Sequence, residues 1–311
     1  MPLIKPQRLR PGDTIGIVST SSPVRRDALT RCSHFWKTQG YRVAVAPHVL
    51  ADLGYRAGSA EDRAGDLMAM FRDAEVRAIL PANGGRVASH LLPLLDYDAI
   101  RDNPKILLGL SDSSILTLAI HGRTGLVTFH GPTGDNFRFG HLITFTLRSM
   151  VRTLTDPAPV GQMQPSGYPW TVLRGTGTVR GRLLGGHIGT IRSLLGTPFE
   201  PSWDGALLFL DEHIVWHQEL DAALTHFRLA GVFGRISGLI FGRPPVELEP
   251  SRSFAESTED VLLRLCDGYG FPILYGVDIG DTPETLTLPV GCLAEIDASS
   301  GYLTLLEGGV A

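Results

Sequence analysis

Cysteine is scarce in this chain: Cys32, Cys266 and Cys292 are the three in 311 residues. Their number is odd and their spacing wide, so no disulfide framework is expected, and reduced thiols in a cytoplasmic protein suit them better. Neither the paired Cys/His spacing of a structural zinc nor an HExxH run occurs, and no metal or organic cofactor is expected. An excess of one charge is lacking too. Lys and Arg number 28 against 32 Asp and Glu, and the net charge of -4 gives no electrostatic footprint for nucleic acid. No apolar run approaches the roughly 20 residues that span a bilayer. The opening stretch, MPLIKPQRLRPGD, has no secretory h-region, so neither membrane nor export is expected.

What is present is a hydrophobic content of 43% in a chain longer than a single core usually sustains, which predicts two lobes. The first half alternates strand and helix signals. Buried-strand runs at Thr14 to Ser19, Arg42 to Pro47, Ala78 to Pro81 and Lys105 to Leu108 are separated by helical patterns at Asp27 to Gln39, Ser59 to Phe71 and Val87 to Leu94. Such alternation predicts α/β architecture with a parallel sheet covered on both faces. The stretch TDPAPVGQMQPSGYPWTVLRGTG is dense in proline and glycine. It reads as a linker (155–177) between an α/β domain (1–154) and a mixed, β-rich domain (178–311). Ligands bind at the carboxyl ends of parallel strands. Gly84-Gly85 and Ser111 both stand at such ends.

Ser111 lies in KILLGLSDSSIL, where an apolar strand turns through Gly-Leu-Ser-Asp straight into a helical pattern. A serine at that apex exposes its hydroxyl, and the N–H groups opening the helix point at whatever the hydroxyl attacks. The pattern is not G-x-S-x-G, and the same residues also suit a helix cap by Ser111, Asp112 or Ser113.

The segments PGDTIGIVSTSSPV, LLPLLDYDAIRDNPKILLGLSDSSIL, TGLVTFHGP, GRLLGGHIGTIRSLLGTP and GDTPETLTLPVG run through both lobes in order. In them the chain resembles the S66 peptidases, the LD-carboxypeptidase family that includes microcin C7 self-immunity hydrolases. The resemblance implies a parallel α/β amino-terminal domain, a β-rich carboxy-terminal domain, a site between them and a homodimer. It implies a peptide-like or amide substrate, Ser111 as nucleophile, and oxyanion donors from the Gly84-Gly85 turn and the Asp112 N–H, with Gly84 and Arg243 touching substrate.

The chain departs from that pattern at two positions. The family's Glu follows an apolar strand; here LFLDE puts Asp211 in its place, with Glu212 next. The family's His stands before LTLP; here GDTPETLTLP puts Asp281 there. A serine needs a base poised near the working pH, which imidazole at about 6.5 supplies and a carboxylate at about 3.9 does not. Three outcomes are open. Asp281 and Asp211 (or Glu212) lie together and share a proton, giving an acid-active Ser-carboxylate-carboxylate set similar in kind to the sedolisins. Another histidine is recruited, with His213, His217 and His187 as candidates. Or hydrolysis is lost and the cleft binds a peptide-like or acyl-adenylate-like ligand.

Overall fold

The structure, a computed structural model, describes residues 2–212, 217–244 and 256–311. In the first lobe β1 (Thr14–Val18) is buried at every position, as suits a parallel strand covered on both faces. It is followed by α1 (Arg26–Thr38), β2 (Arg42–Val45), α2 (Ala60–Arg72) and β3 (Val76–Pro81). Ser59 caps α2 by accepting the Asp62 N–H at 3.0 Å. The expected helix from Val87 is a 3-10 stretch, 88–94, with Pro93 inside it; proline has no N–H to extend an α-helical ladder. Then come α3 (Tyr97–Asp102), β4 (Ile106–Gly109), a 3-10 turn at 111–113, α4 (Ser114–Thr124), β5 (Thr128–His130), a 3-10 turn at 134–137 and α5 (Thr144–Thr155).

The second lobe holds β6 (Gly161–Gln162), β7 (Thr171–Arg174), β8 (Thr178–His187), α6 (Ile188–Ile191), β9 (Leu207–Asp211), α7 (His217–Leu229), β10 (Gly238–Gly242), α8 (Thr258–Leu265), β11 (Ile273–Val277), β12 (Leu288–Val290), β13 (Leu293–Asp297) and β14 (Tyr302–Leu305). Two sheets result, ordered β12-β5-β4-β3-β1-β2 and β6-β14-β13-β8-β9-β10-β11-β7. The first is parallel apart from β12, a strand of the second half that pairs antiparallel with β5. In the second, parallel β8 to β11 are flanked by antiparallel strands. The Pro/Gly-dense stretch 155–177 contributes β6 and β7 to that sheet.

Between the sheets lies α4, packed against β5 on one side and β8 on the other. It is apolar nearly all round, with Ile115, Leu116, Leu118, Ala119 and Ile120 buried, as a helix enclosed on every face must be. Gly125, at a φ of 78°, ends it in the left-handed conformation. The Ser114 hydroxyl, at its first residue, accepts the His187 N–H from β8 at 3.2 Å. The start of α4 is therefore fixed to the second lobe, and its preceding corner faces the junction.

Candidate active site

The corner begins where β4, buried throughout, runs out at Leu110. Ser111 then takes a φ of 56°, and among the described residues no other non-glycine has a positive φ. The left-handed region costs an L-residue about 1–2 kcal/mol, so the neighbours must hold it there. Ser113, at the N-cap position of α4, makes no side-chain cap bond. Asp112 does not cap either. Its carboxylate is buried and accepts the Ser21 hydroxyl at 2.5 Å and the Ala88 N–H at 2.8 Å. The Ser21 oxygen in turn accepts the Val87 N–H at 3.1 Å. Buried Arg63, reaching over from α2, donates to the carbonyls of Thr20 and Val87. The loops after β1 and β3 are thus bonded to the serine corner.

Opposite the serine stands the Gly84-Gly85 turn. A Cβ on Gly84 would lie 2.9 Å from Ser111 Oγ, so the bare glycine backbone is what the hydroxyl faces. Gly85 has a φ of 149°, and a Cβ there would lie 2.2 Å from the Ser21 oxygen. Glycine is required at both positions for close approach.

Ser111, Gly84, Gly85 and Asp281 line one cleft of about 260 Å³, with Ser22, Asn83, Leu110, Thr133, Asp135 and Asn136 completing its wall. Asp211, at the end of β9, is 2% exposed and is not among the residues that line the cleft. Gly280 has a φ of 98°, and a Cβ on it would stand 2.8 Å from Asp211 Oδ2. The loop that carries Asp281 therefore rests on the Asp211 carboxylate. From the first sheet His130 closes in on the same group, its Nε2 3.2 Å from Asp211 Oδ1.

Among the described residues no histidine lines this cleft. His187 pairs with Asp211 in register across β8 and β9, but its Nε2 lies 2.9 Å from Glu212 Oε1. Burial disfavours its imidazolium; the Glu212 hydrogen bond, with the charges of Glu212, Asp211 and Asp112, outweighs that and holds its pKa above the ordinary imidazole value. His217 opens α7, and His213 lies outside the described residues. Arg243, just past β10, is stacked 4.1 Å over the Tyr168 ring, with Glu284 Oε2 at 3.1 Å and Asp278 Oδ1 at 3.5 Å. Asp278 also accepts from the Ser166 N–H, the Ser166 hydroxyl and the Trp170 indole.

Sequence reasoning missed the wall formed by Thr133, Asp135 and Asn136. Its signal was available: HGPTGDN is a polar turn directly after an apolar run, at the carboxyl end of a parallel strand. It also missed His130 as the neighbour of Asp211, because nothing local to TFHGP points at a residue 81 positions later (211 − 130).

The two-sheet α/β fold, with a strained serine at a strand-to-helix corner facing a glycine turn, is the framework of a serine hydrolase. Comparison with known proteins agrees. Residues 15–131 match the LD-carboxypeptidase N-terminal domain and residues 180–296 match the LD-carboxypeptidase C-terminal domain. The chain belongs to the S66 peptidase family. It is 31% identical to the "Probable murein peptide carboxypeptidase" of Bacillus subtilis, over 99% of this chain and 95% of that one. To the microcin C7 self-immunity protein MccF of Escherichia coli it is 28% identical, over 95% and 94%. The solved structure of MccF in complex with glutamyl sulfamoyl guanosine superposes with a TM-score of 0.89 at 27% identity, covering all of both chains.

Proposed function

We propose that this protein is a serine hydrolase that cleaves a peptide or amide bond, with Ser111 as its nucleophile and an acid pair in place of the usual His and Glu. One observation carries the reading: the strained φ of 56° at Ser111, held at a corner whose hydroxyl faces the Gly84 backbone and the cleft. Strain of this kind persists where surrounding structure over-determines it, and such places are commonly active sites.

In this reading Ser111 Oγ attacks the scissile carbonyl carbon. Its proton passes to Asp281, and the carbonyl π pair moves onto oxygen, where the Gly85 and Asp112 N–H groups receive it. Asp281 then gives the proton to the leaving nitrogen as the C–N bond breaks. A water, deprotonated by the same carboxylate, hydrolyses the acyl-serine. Asp211 stands behind Asp281 as the second carboxyl of the pair, and the optimum lies in acid. Arg243, already holding two carboxylates, fixes the loop that bears Asp281 rather than anchoring substrate. The substrate class is a peptide-like or aminoacyl-nucleotide-like amide, in keeping with the relatives' names. We place the protein in the cytoplasm as a homodimer. The three buried, unpaired cysteines support a reducing compartment.

The test is labelling by a serine-directed fluorophosphonate across pH, beside rate profiles on an LD-dipeptide and an aminoacyl sulfamoyl adenylate. Labelling that Ser111→Ala abolishes, with an acid optimum for turnover, is expected. A neutral optimum that His187→Ala removes would mean a recruited imidazole instead. A second reading, ligand binding without turnover, is favoured by the absence of histidine from the described cleft wall. Folded wild type that stays unlabelled at every pH, yet binds the sulfamoyl adenylate, would establish it.

A further inference from the structure

Behind the acid pair stands a side chain that the mechanism above leaves unused. His130 is completely buried, and its Nε2 is 3.2 Å from the equally enclosed Asp211. This is an ion-pair distance, off the line of an ideal hydrogen bond. The ring is set by edge-on packing against Phe209, centroids 5.2 Å apart. The His130 backbone is paired with Gly109 of β4 on one side and Leu288 of β12 on the other. Its Nδ1 has no hydrogen-bond partner among the described residues.

That arrangement selects a tautomer. An imidazolium here would bury an unpaired N–H at Nδ1, which is costly in a dry interior. The neutral ring with its proton on Nε2 sets that N–H, and not a lone pair, on the carboxylate side, 3.2 Å away though off the hydrogen-bond line. A donor aimed at a carboxylate favours the ionised form of that carboxylate. Of the surrounding titratable groups, Glu212 on β9 and His187 on β8 face each other at 2.9 Å, with His187 also feeling the Asp211 charge, and Asp112 accepts from Ser21 and Ala88.

We propose that His130 is the positioning residue of the acid pair: neutral and protonated on Nε2, it keeps the negative charge on Asp211 and leaves Asp281 as the member that takes the Ser111 proton. In an ordinary serine triad imidazole stands between hydroxyl and carboxylate. Here it stands at the far end, beyond both acids. The proposal rests on the hydrolase reading.

The experiment follows fluorophosphonate labelling of Ser111 against pH in wild type, His130→Gln and His130→Phe. Glutamine keeps a donor; phenylalanine keeps only the ring. The expected result is a lower maximal rate in His130→Phe, with the acid limb moved down by about one pH unit, and a limb near wild type in His130→Gln. If both folded variants keep the wild-type limb, the proposal fails, although labelling of wild type would still uphold the nucleophile. Should His130→Phe not fold, nitrogen-15 spectra of histidine-labelled wild type decide, with the His130 signal assigned by its loss in His130→Gln. A neutral Nε2–H signature between pH 5 and 8 supports the proposal, and an imidazolium or Nδ1–H signature overturns it.

Discussion

At the scale of single residues, the site depends on what is missing from Gly84. Its bare Cα lets the Ser111 hydroxyl face the turn, and any side chain there meets the nucleophile first. In Gly84→Ala the new methyl would lie 2.9 Å from Ser111 Oγ and 3.1 Å from Ser111 Cβ. Neither neighbour has room to give, because Ser111 is already held in a strained conformation and its corner is bonded through Asp112 to two other loops. The serine must turn or the glycine loop must retreat, and either movement misaligns hydroxyl and oxyanion donors. The loss of one such donor costs about 10²–10³ in rate. Gly84→Ala is therefore expected to lower the fluorophosphonate labelling rate of Ser111 by about a hundredfold, with circular dichroism unchanged. Labelling within a few-fold of wild type would show that the turn does not confront the serine.

At the scale of elements, adjacent strands carry the site, and β8 and β9 illustrate how a pair of strands couples pH to stability. Their register sets His187 beside Asp211 and brings it within 2.9 Å of Glu212. Because the folded-state pKa of His187 is raised, its contribution is fully present below the unfolded value of about 6.5 and disappears as pH rises through the folded one. His187→Gln should therefore cost about 1.5–3 kcal/mol at pH 5.5 and clearly less at pH 8.5, read from urea unfolding at the two pH values. An equal cost at both would show that the imidazole is neutral in the folded protein. This pairing also marks the limit of what was legible beforehand. Strands such as TIGIV and LLFLD and the GLSD corner could be read because their signals are local: apolar runs, turn residues and a helix start. The joining of Asp281 to Ser111 in one cleft was reachable only through resemblance to a family. Strands β6 and β7, inside a stretch that reads as linker, were hidden by their prolines and glycines; they are edge strands, where such residues are tolerated. The move of β12 into the first sheet left no mark either, since LPV carries no information about which neighbour it pairs with.

At the scale of the whole molecule, that move decides how the two sheets depend on each other. β12 comes from the second half of the sequence and completes the edge of the first sheet against β5. The adjoining loop is bonded to α5 as well: the Thr146 hydroxyl donates to the Pro283 carbonyl and accepts the Thr285 N–H. Buried α4 is packed against both sheets, and its first hydroxyl holds β8. Unfolding the second lobe alone would strip β12 from β5 and open one face of α4 to water. Each fully exposed Leu or Ile side chain costs about 1.5–3 kcal/mol, so stripping part of the apolar surface of α4 makes the half-unfolded state expensive. The lobes are therefore expected to unfold in one transition despite the length of the chain. Trp36 reports on the first lobe and Trp203 on the second, both buried. In variants that keep only Trp36 or only Trp203 of the four tryptophans, fluorescence should give the same urea midpoint, and Ser111 labelling should vanish at that midpoint too. Two separated midpoints would show that the crossing strand and the shared helix do not couple the lobes, and the site between them would then be lost with whichever lobe melts first.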